Sequence, residues 1–201
     1  MPGLDPAHRE PTSAAELEAV TIGVPTRVDG QVTLADYDPD WPELFEREAS
    51  RIRSLLGDRV RCLEHVGSTS VPGLCAKPII DIVLGVTDPA DEPAYAAPLE
   101  AAGYRLRIRE PAWHEHRLLK GPDTDLNLHV FREDCPEIDR MLAFRDRLRT
   151  NVVERDRYAA AKRDLASRAW TYLQHYADAK SEIVEAIIAR AFEARRGSRS
   201  R

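Results

Sequence analysis

The chain has 201 residues, with 29 Lys and Arg against 34 Asp and Glu, a net charge of −5 and a pI near 5.7. That balance argues against a broad nucleic-acid surface and leaves room for a local basic pocket. With 43% apolar residues, no leader pattern and no apolar run of membrane length, it reads as a soluble cytoplasmic protein with no membrane partner, either one domain or a core with a helical extension.

Residues 1–30, interrupted by Pro2, Pro6, Pro11 and Pro25, predict a variable, largely disordered arm with a short helix over 13–20. A strand-like run follows at 31–34. Asp40 with Glu43 has capping-box spacing and predicts a helix over 40–56, with Trp41, Leu44, Phe45, Ile52, Leu55 and Leu56 on its buried stripe. Residues 60–66 and 79–84 read as strands on either side of Gly67. Residues 93–102 predict a second helix. Strands are expected at 104–109, 116–120 and 125–131, the last two joined as a hairpin across Gly121-Pro122-Asp123. From Pro136 onward the pattern is helical throughout, over 136–151, 154–175 and 181–194, before a disordered basic tail at 197–201. These elements make an α+β protein. A small mixed sheet backed by helices occupies 31–135, and a C-terminal helical unit at 136–196 packs on it. Cys62, Cys75 and Cys135 are odd in number, lack CxxC spacing and read as reduced thiols.

The chemistry concentrates in residues 65–86, HVGSTSVPGLCAKPIIDIVLGV. Gly67 permits a positive φ and the close approach of another group to the main chain. Ser68, Thr69 and Ser70 offer hydroxyls and amide donors, and Val71-Pro72 suits the opening of a helical turn. Amides and hydroxyls converging there form an anion site, with phosphate the usual occupant. Asp81 lies in an apolar run, where an unpaired carboxylate is costly, and a metal beside a bound phosphate would supply the reason. Lys77 reads as a phosphate contact, against the alternative of a solvated loop lysine.

Five segments, HVGSTSVPGLCAKPIIDI, YDPDWPELFEREASRI, EHRLLKGPDTDLNLHVF, CPEIDRMLAFRDRLR and YADAKSEIVEAIIARA, together resemble the GrpB family of the nucleotidyltransferase superfamily over residues 32–194. The resemblance implies a nucleotidyltransferase-like fold with a nucleotide or phosphate pocket. Gly67-Ser68 then matches the superfamily's phosphate-holding turn, and Asp81 matches the first carboxylate of its magnesium-binding pair. The second position is Val83. Asp125 is a loose match for a third carboxylate, so Asp81 and Asp125 are the catalytic candidates, with Asp81 on Mg²⁺. The implied activity is a nucleotidyltransferase that binds a nucleoside triphosphate with Mg²⁺ and transfers a nucleotidyl group to a small acceptor. The alternative, motivated by Val83, is a non-catalytic module binding a nucleotide or phosphometabolite. Relatives that look like domains fused to dephospho-coenzyme A kinase add a third reading, a partner in coenzyme A metabolism.

His116 and Arg117 of HRLLKG, and Asn127 and His129 of NLHVF, read as pocket-lining groups. His65 is either pocket-lining or a hydrogen-bonded core histidine. Arg145, with Arg149 one turn on, reads either as a phosphate contact or as a helix–sheet ion pair. Tyr158 and Lys162 share a helix face, closing the cleft or lying on the surface. A zinc reading of His114, His116 and His129 lacks any motif of metal-site specificity.

Overall fold

A computed structural model describes residues 12–199. Five strands, β2 (Cys62–Val66), β3 (Ile80–Val86), β4 (Arg105–Glu110), β5 (His116–Lys120) and β6 (Leu126–Arg132), form a mixed sheet in the order β2-β3-β6-β5-β4. The central β3–β6 pair is parallel and all other pairs are antiparallel, including the predicted β5–β6 hairpin. Alternate residues project to opposite faces, so the register sorts the side chains. Asp81 lies beside Asn127, and Val83 beside His129, which in turn faces Leu118. Ile80, Ile82 and Leu84 join Leu126, Leu128 and Val130 on the other face, in the main core.

That core is covered by α2 (Trp41–Leu56) and α3 (Glu92–Ala101). Helix α2 buries Trp41, Phe45, Ile52 and Leu56 of the predicted stripe and half-buries Leu44 and Leu55, and it adds Ala49 and Glu48, the latter with 0% exposure. The expected capping box at Asp40 does not form. Asp40 has helical φ/ψ, Pro42 has no N–H to offer, and Asp38 Oδ1 instead accepts from the Asp40 amide at 2.9 Å. A complete capping box sits at Ser13 and Glu16, opening α1 (Ala14–Val20).

Opposite the core, the sheet faces the C-terminal helices α4 (Pro136–Thr150), α5 (Val152–Ala166) and α7 (Ser181–Arg199). The loop after β2 inserts Val71, Leu74 and Cys75 among Leu148, Tyr158 and Ile187, tying the helices to the turn at Gly67.

Four further expectations are corrected. The helix predicted over 154–175 is broken: α5 ends at Ala166, Trp170–Tyr172 form strand β7, and α6 (Leu173–Asp178) follows. The Ser167 hydroxyl donates to Asp164 O and the Trp170 indole to Leu165 O, satisfying carbonyls that a continuing helix would have used. Leu165 and Tyr176 still share one buried cluster, so the apolar stripe was real and its helix was not. The arm expected to be largely disordered up to residue 30 is structured from Thr12. Strand β1 (Arg27–Gly30) pairs with β7, and the Ile22 amide donates to Arg107 O. Residues 31–34, expected as a strand, instead dock on the end of α5 by the Val32 N–H to Ala166 O and the Gln31 Nε2 to Ser167 O. Helix α7 continues beyond 194 to Arg199. The expectations for residues 1–11 and 200–201 lie outside the described residues. A truncation beginning at Gln31 is expected to raise amide exchange across β7, read by mass spectrometry; unchanged exchange would mean that β1 does not protect it.

Candidate functional site

Gly67 has φ 69°, and a Cβ built there would stand 2.3 Å from Asp81 Oδ2. The glycine therefore allows both the turn and the seating of the Asp81 carboxylate directly against it. Ser68–Ser70 form a single 3-10 turn, so the helical turn lies earlier than Val71-Pro72. Two of its hydroxyls are spent inside: Ser70 donates to Gly67 O at 2.6 Å and Thr69 to Ile79 O at 3.2 Å.

Beside this turn opens a cavity of about 650 Å³. Asp81, Asn127, His129 and Leu118 rise from the sheet, Gly67–Thr69 and Lys77 form one wall, and Phe144, Lys162, Tyr176 and Lys180 form the helical wall. Leu17, Thr21 and Arg107 close the remaining side. Five basic side chains line it, Lys77, Arg107, Lys120, Lys162 and Lys180, against two acids, Asp81 and Asp125.

The polar contacts are specific. Asn127 Nδ2 donates to Asp81 Oδ1 at 2.7 Å, and Lys120 Nζ donates to Asn127 Oδ1 at 3.0 Å and to Asp125 Oδ1 at 2.7 Å. Lys162 Nζ donates to Cys75 O and lies 5.0 Å from the centroid of the Tyr158 ring. The ammonium groups of Lys180 and Lys77 stand 4.5 and 5.8 Å from the Tyr176 centroid, and among the described residues neither has a carboxylate partner. Burial pushes Lys180 down to about 7 and Lys162 to about 8, and it lowers Lys77 too, with neighbouring lysines adding to the effect on all three and Asp81 opposing it.

The GrpB protein profile matches residues 31–190, more than half of the sequence. The chain belongs to the GrpB family. It is 59% identical to a UPF0157 protein of Halalkalibacterium halodurans, over 94% of this chain and 97% of that one. The crystal structure of the conserved protein GrpB from Enterococcus faecalis superposes with a TM-score of 0.72 at 33% identity, covering 81% of this chain and 98% of that one. A dephospho-CoA kinase of Mycolicibacterium paratuberculosis is 31% identical over 69% of this chain, and the match spans 40% of that enzyme. No helix among the described residues is long and apolar enough to cross a membrane.

In this GrpB chain, the cavity gathers Gly67, Ser68, Thr69, Lys77, Asp81, Asp125, Asn127, His129 and Lys162 of the residues read from sequence, with Lys162 buried and not on the surface. The others lie elsewhere. His65 occupies the opposite sheet face, stacked on Phe45 at 4.8 Å with Nε2 3.1 Å from Thr69 Oγ1. Arg117 also points away, its Nε donating to Glu92 Oε1 at 2.5 Å; Arg109, then burial's opposing effect and Arg117, leave the Glu92 carboxyl at about 2. Arg145 joins α4 to β2 by donating to Glu64 Oε2 at 2.8 Å and to His65 O at 3.0 Å. With Arg149, Ser70 and His65 it borders a separate cleft of about 440 Å³ on the far side of the turn. His116 is buried behind His129. Sequence reasoning missed Lys120 and Lys180; both lie in family-like segments, but nothing in their spacing singles them out.

The donor set does not fit a protein-held Mg²⁺. Magnesium asks for octahedral oxygen donors. Val83, at the second acid position, has 0% exposure and packs with Val66, Phe131 and Ile138 beneath α4. Asp125 sits at the mouth of β6, its carboxylate on Lys120. Among the described residues, no three His, Cys, Asp or Glu side chains are grouped to hold a metal. The zinc reading meets a geometric obstacle: His116 Nε2 and His129 Nδ1 face each other at 3.1 Å, rather than a common point.

Burial also pushes His65 and His116 down to about 4. Their unfolded forms titrate near 6.5, so between these values the unfolded chain binds more protons and stability rises with pH. Acidifying from pH 6.5 to 4 is expected to cost up to about 3 kcal/mol for each histidine. Denaturant midpoints for His65→Phe and His116→Phe should show a flatter slope over that range; an unchanged slope would remove these rings as its cause.

Proposed function

We propose that the cavity binds a phosphorylated small molecule of nucleotide size, with lysines meeting the negative charge that a metal meets in the wider superfamily. The observation that carries this reading is the helical wall, where Lys77 and Lys180 share the Tyr176 ring without a carboxylate and Lys162 is buried on a single carbonyl. The Asp81 carboxylate acts on all three amines only from a distance, with no ion pair to any of them, and a polyanion entering the cavity offsets the remaining cost for all three at once. The amides that follow Gly67 supply further donors on the facing wall, while the Ser68 hydroxyl is paired with Tyr158. A volume of about 650 Å³ suits such a ligand.

The test is calorimetry with ATP, GTP, CTP, UTP and inorganic pyrophosphate, with Mg²⁺ and with EDTA. Dephospho-coenzyme A joins the panel because a kinase bearing that name contains a similar segment. Binding is expected to persist in EDTA and to weaken at least about ten-fold in Lys180→Met and in Lys162→Met, the effect of losing one charge-assisted contact. Affinity unchanged in both variants would sink the lysine-wall reading.

A second reading, nucleotidyl transfer to a small acceptor, is favoured by one contact: the Asp81 carboxylate lies against the Gly67-Ser68 turn, as the superfamily's first acid does. Binding that requires Mg²⁺ and disappears in Asp81→Asn would favour it over the first.

A further inference from the structure

Four titratable groups on the cavity face of the sheet form a chain that the lysine wall does not use. Glu110 Oε2 lies 2.6 Å from His116 Nδ1, and His116 Nε2 lies 3.1 Å from His129 Nδ1. His129 Nε2 then stands 3.8 Å from Asp81 Oδ1, beyond hydrogen-bond reach. Each link comes from a different strand: β4, β5, β6 and β3.

The protons in this chain can be placed. His116 is 3% exposed, stacked on Phe131 at 4.7 Å with the edge of Trp113 at 5.2 Å. Burial keeps it neutral near pH 7, so it carries one N–H. A carboxylate only accepts, which puts that hydrogen on Nδ1 toward Glu110. His116 Nε2 is therefore an acceptor, and its bond to His129 requires the hydrogen on His129 Nδ1. In the neutral form of His129, Nε2 is then left as a bare lone pair that faces the cavity. The neighbouring Asp81 Oδ1 is an acceptor as well, already taking the Asn127 amide hydrogen at 2.7 Å. Two acceptors at this separation, with no hydrogen between them, leave a place for a donor within about 2.8 Å, an amine giving a hydrogen to each or a hydroxyl giving its one hydrogen to either.

We infer that His129 Nε2 and Asp81 form a recognition point for a hydroxyl or amino donor on the bound ligand, with Glu110 and His116 setting its polarity. Taken with the lysine wall, on which the charged end of the ligand rests, this assigns the ligand class: a phosphate ester that also carries a hydroxyl or amine. His116 and Glu110 act through His129 and are positioning residues. A site built to receive such a donor rejects an analogue lacking it far more strongly than an apolar pocket discriminates by size.

The first test needs no ligand. Nitrogen-15 NMR of the histidine rings at pH 8 is expected to show neutral His129 with its hydrogen on Nδ1. In His116→Phe, whose ring suits the apolar surroundings, His129 loses its acceptor and is expected to move the hydrogen to Nε2. An Nε2–H ring in the unmodified protein, or an imidazolium paired with Asp81, overturns the inference, because either makes Nε2 a donor. The second test compares glycerol 3-phosphate with propyl phosphate by calorimetry. At least about ten-fold tighter binding of the first, lost in His129→Phe, supports the class. Equal affinity, or binding of neither, overturns it. Failure of pyrophosphate to bind would count against the lysine wall alone, and the ring tautomer is read independently of it.

Discussion

Gly67→Ala is expected to destabilise the protein by roughly 3 kcal/mol and to abolish anion binding in the cavity. Two costs combine. The φ of 69° is one that L side chains rarely adopt, and the new methyl would lie 2.3 Å from Asp81 Oδ2 and 2.8 Å from Asp81 Cβ. The flexible end of a long side chain could swing away, but Asp81 is short and fixed in the central strand, with Asn127 on its carboxylate. The turn itself must move, carrying the amides after Gly67 out of line. Chemical denaturation gives the stability and calorimetry with pyrophosphate gives the binding. A double variant separates the two costs. Asp81→Gly in the Gly67→Ala background removes the clash and leaves the backbone strain, so about 1–2 kcal/mol of the loss should return. If Gly67→Ala costs less than 1 kcal/mol, the carboxylate is not seated on the turn as described.

The second large effect lies outside the cavity. Glu48 has 0% exposure and accepts hydrogen bonds at 2.7 Å from the Tyr104 and Thr124 hydroxyls, with Arg51 3.7 Å away. Glu48→Ala leaves both hydroxyls without their acceptor and opens a void beside Ile52. A cost of about 3–5 kcal/mol is expected in the denaturant midpoint. Glu48→Gln keeps the shape and one acceptor and should cost clearly less. Thr124 immediately precedes Asp125 and the strand that carries Asn127 and His129, so Glu48 fixes the base of that strand from the opposite face of the sheet. Equal losses in the Ala and Gln variants would show that volume, and not the hydrogen bonds, matters there.

Glu48 also shows where sequence reading stops. Its spacing from Trp41, Phe45 and Ile52 puts it on the buried stripe of α2, yet residue type argues for solvent, and only partners just ahead of two distant strands, Tyr104 before β4 and Thr124 before β6, reconcile the two. His116 and Arg117 pose the same problem within one strand. Alternation places neighbours on opposite faces, but nothing local says which face meets the cavity. The packing of α2 and α3 on one side and α4 on the other decides it, sending Arg117 to Glu92 and His116 to His129. Asn127 and His129, sharing a face in sequence, do share the cavity.

By itself the sequence determined the strand–glycine–strand centre, the β5–β6 hairpin, the α+β class and the family, because each rests on short-range signals: a glycine where the chain must turn, period-2 and period-3.6 patterns, and contiguous motifs. Tertiary structure alone decided the rest. Strand β7 forms because β1, about 140 residues earlier in sequence, supplies its partner hydrogen bonds, and no local pattern encodes such a distant pairing. The lysine wall is equally non-local. Lys77 comes from a loop, Lys162 from α5 and Lys180 from the turn before α7, and they become neighbours only because the break after Ala166 folds α6 back, with Tyr176 packed on Leu165 at the edge of the cavity. Each is an ordinary lysine along the chain; convergence in one partly buried cavity perturbs them and gives the cavity its charge.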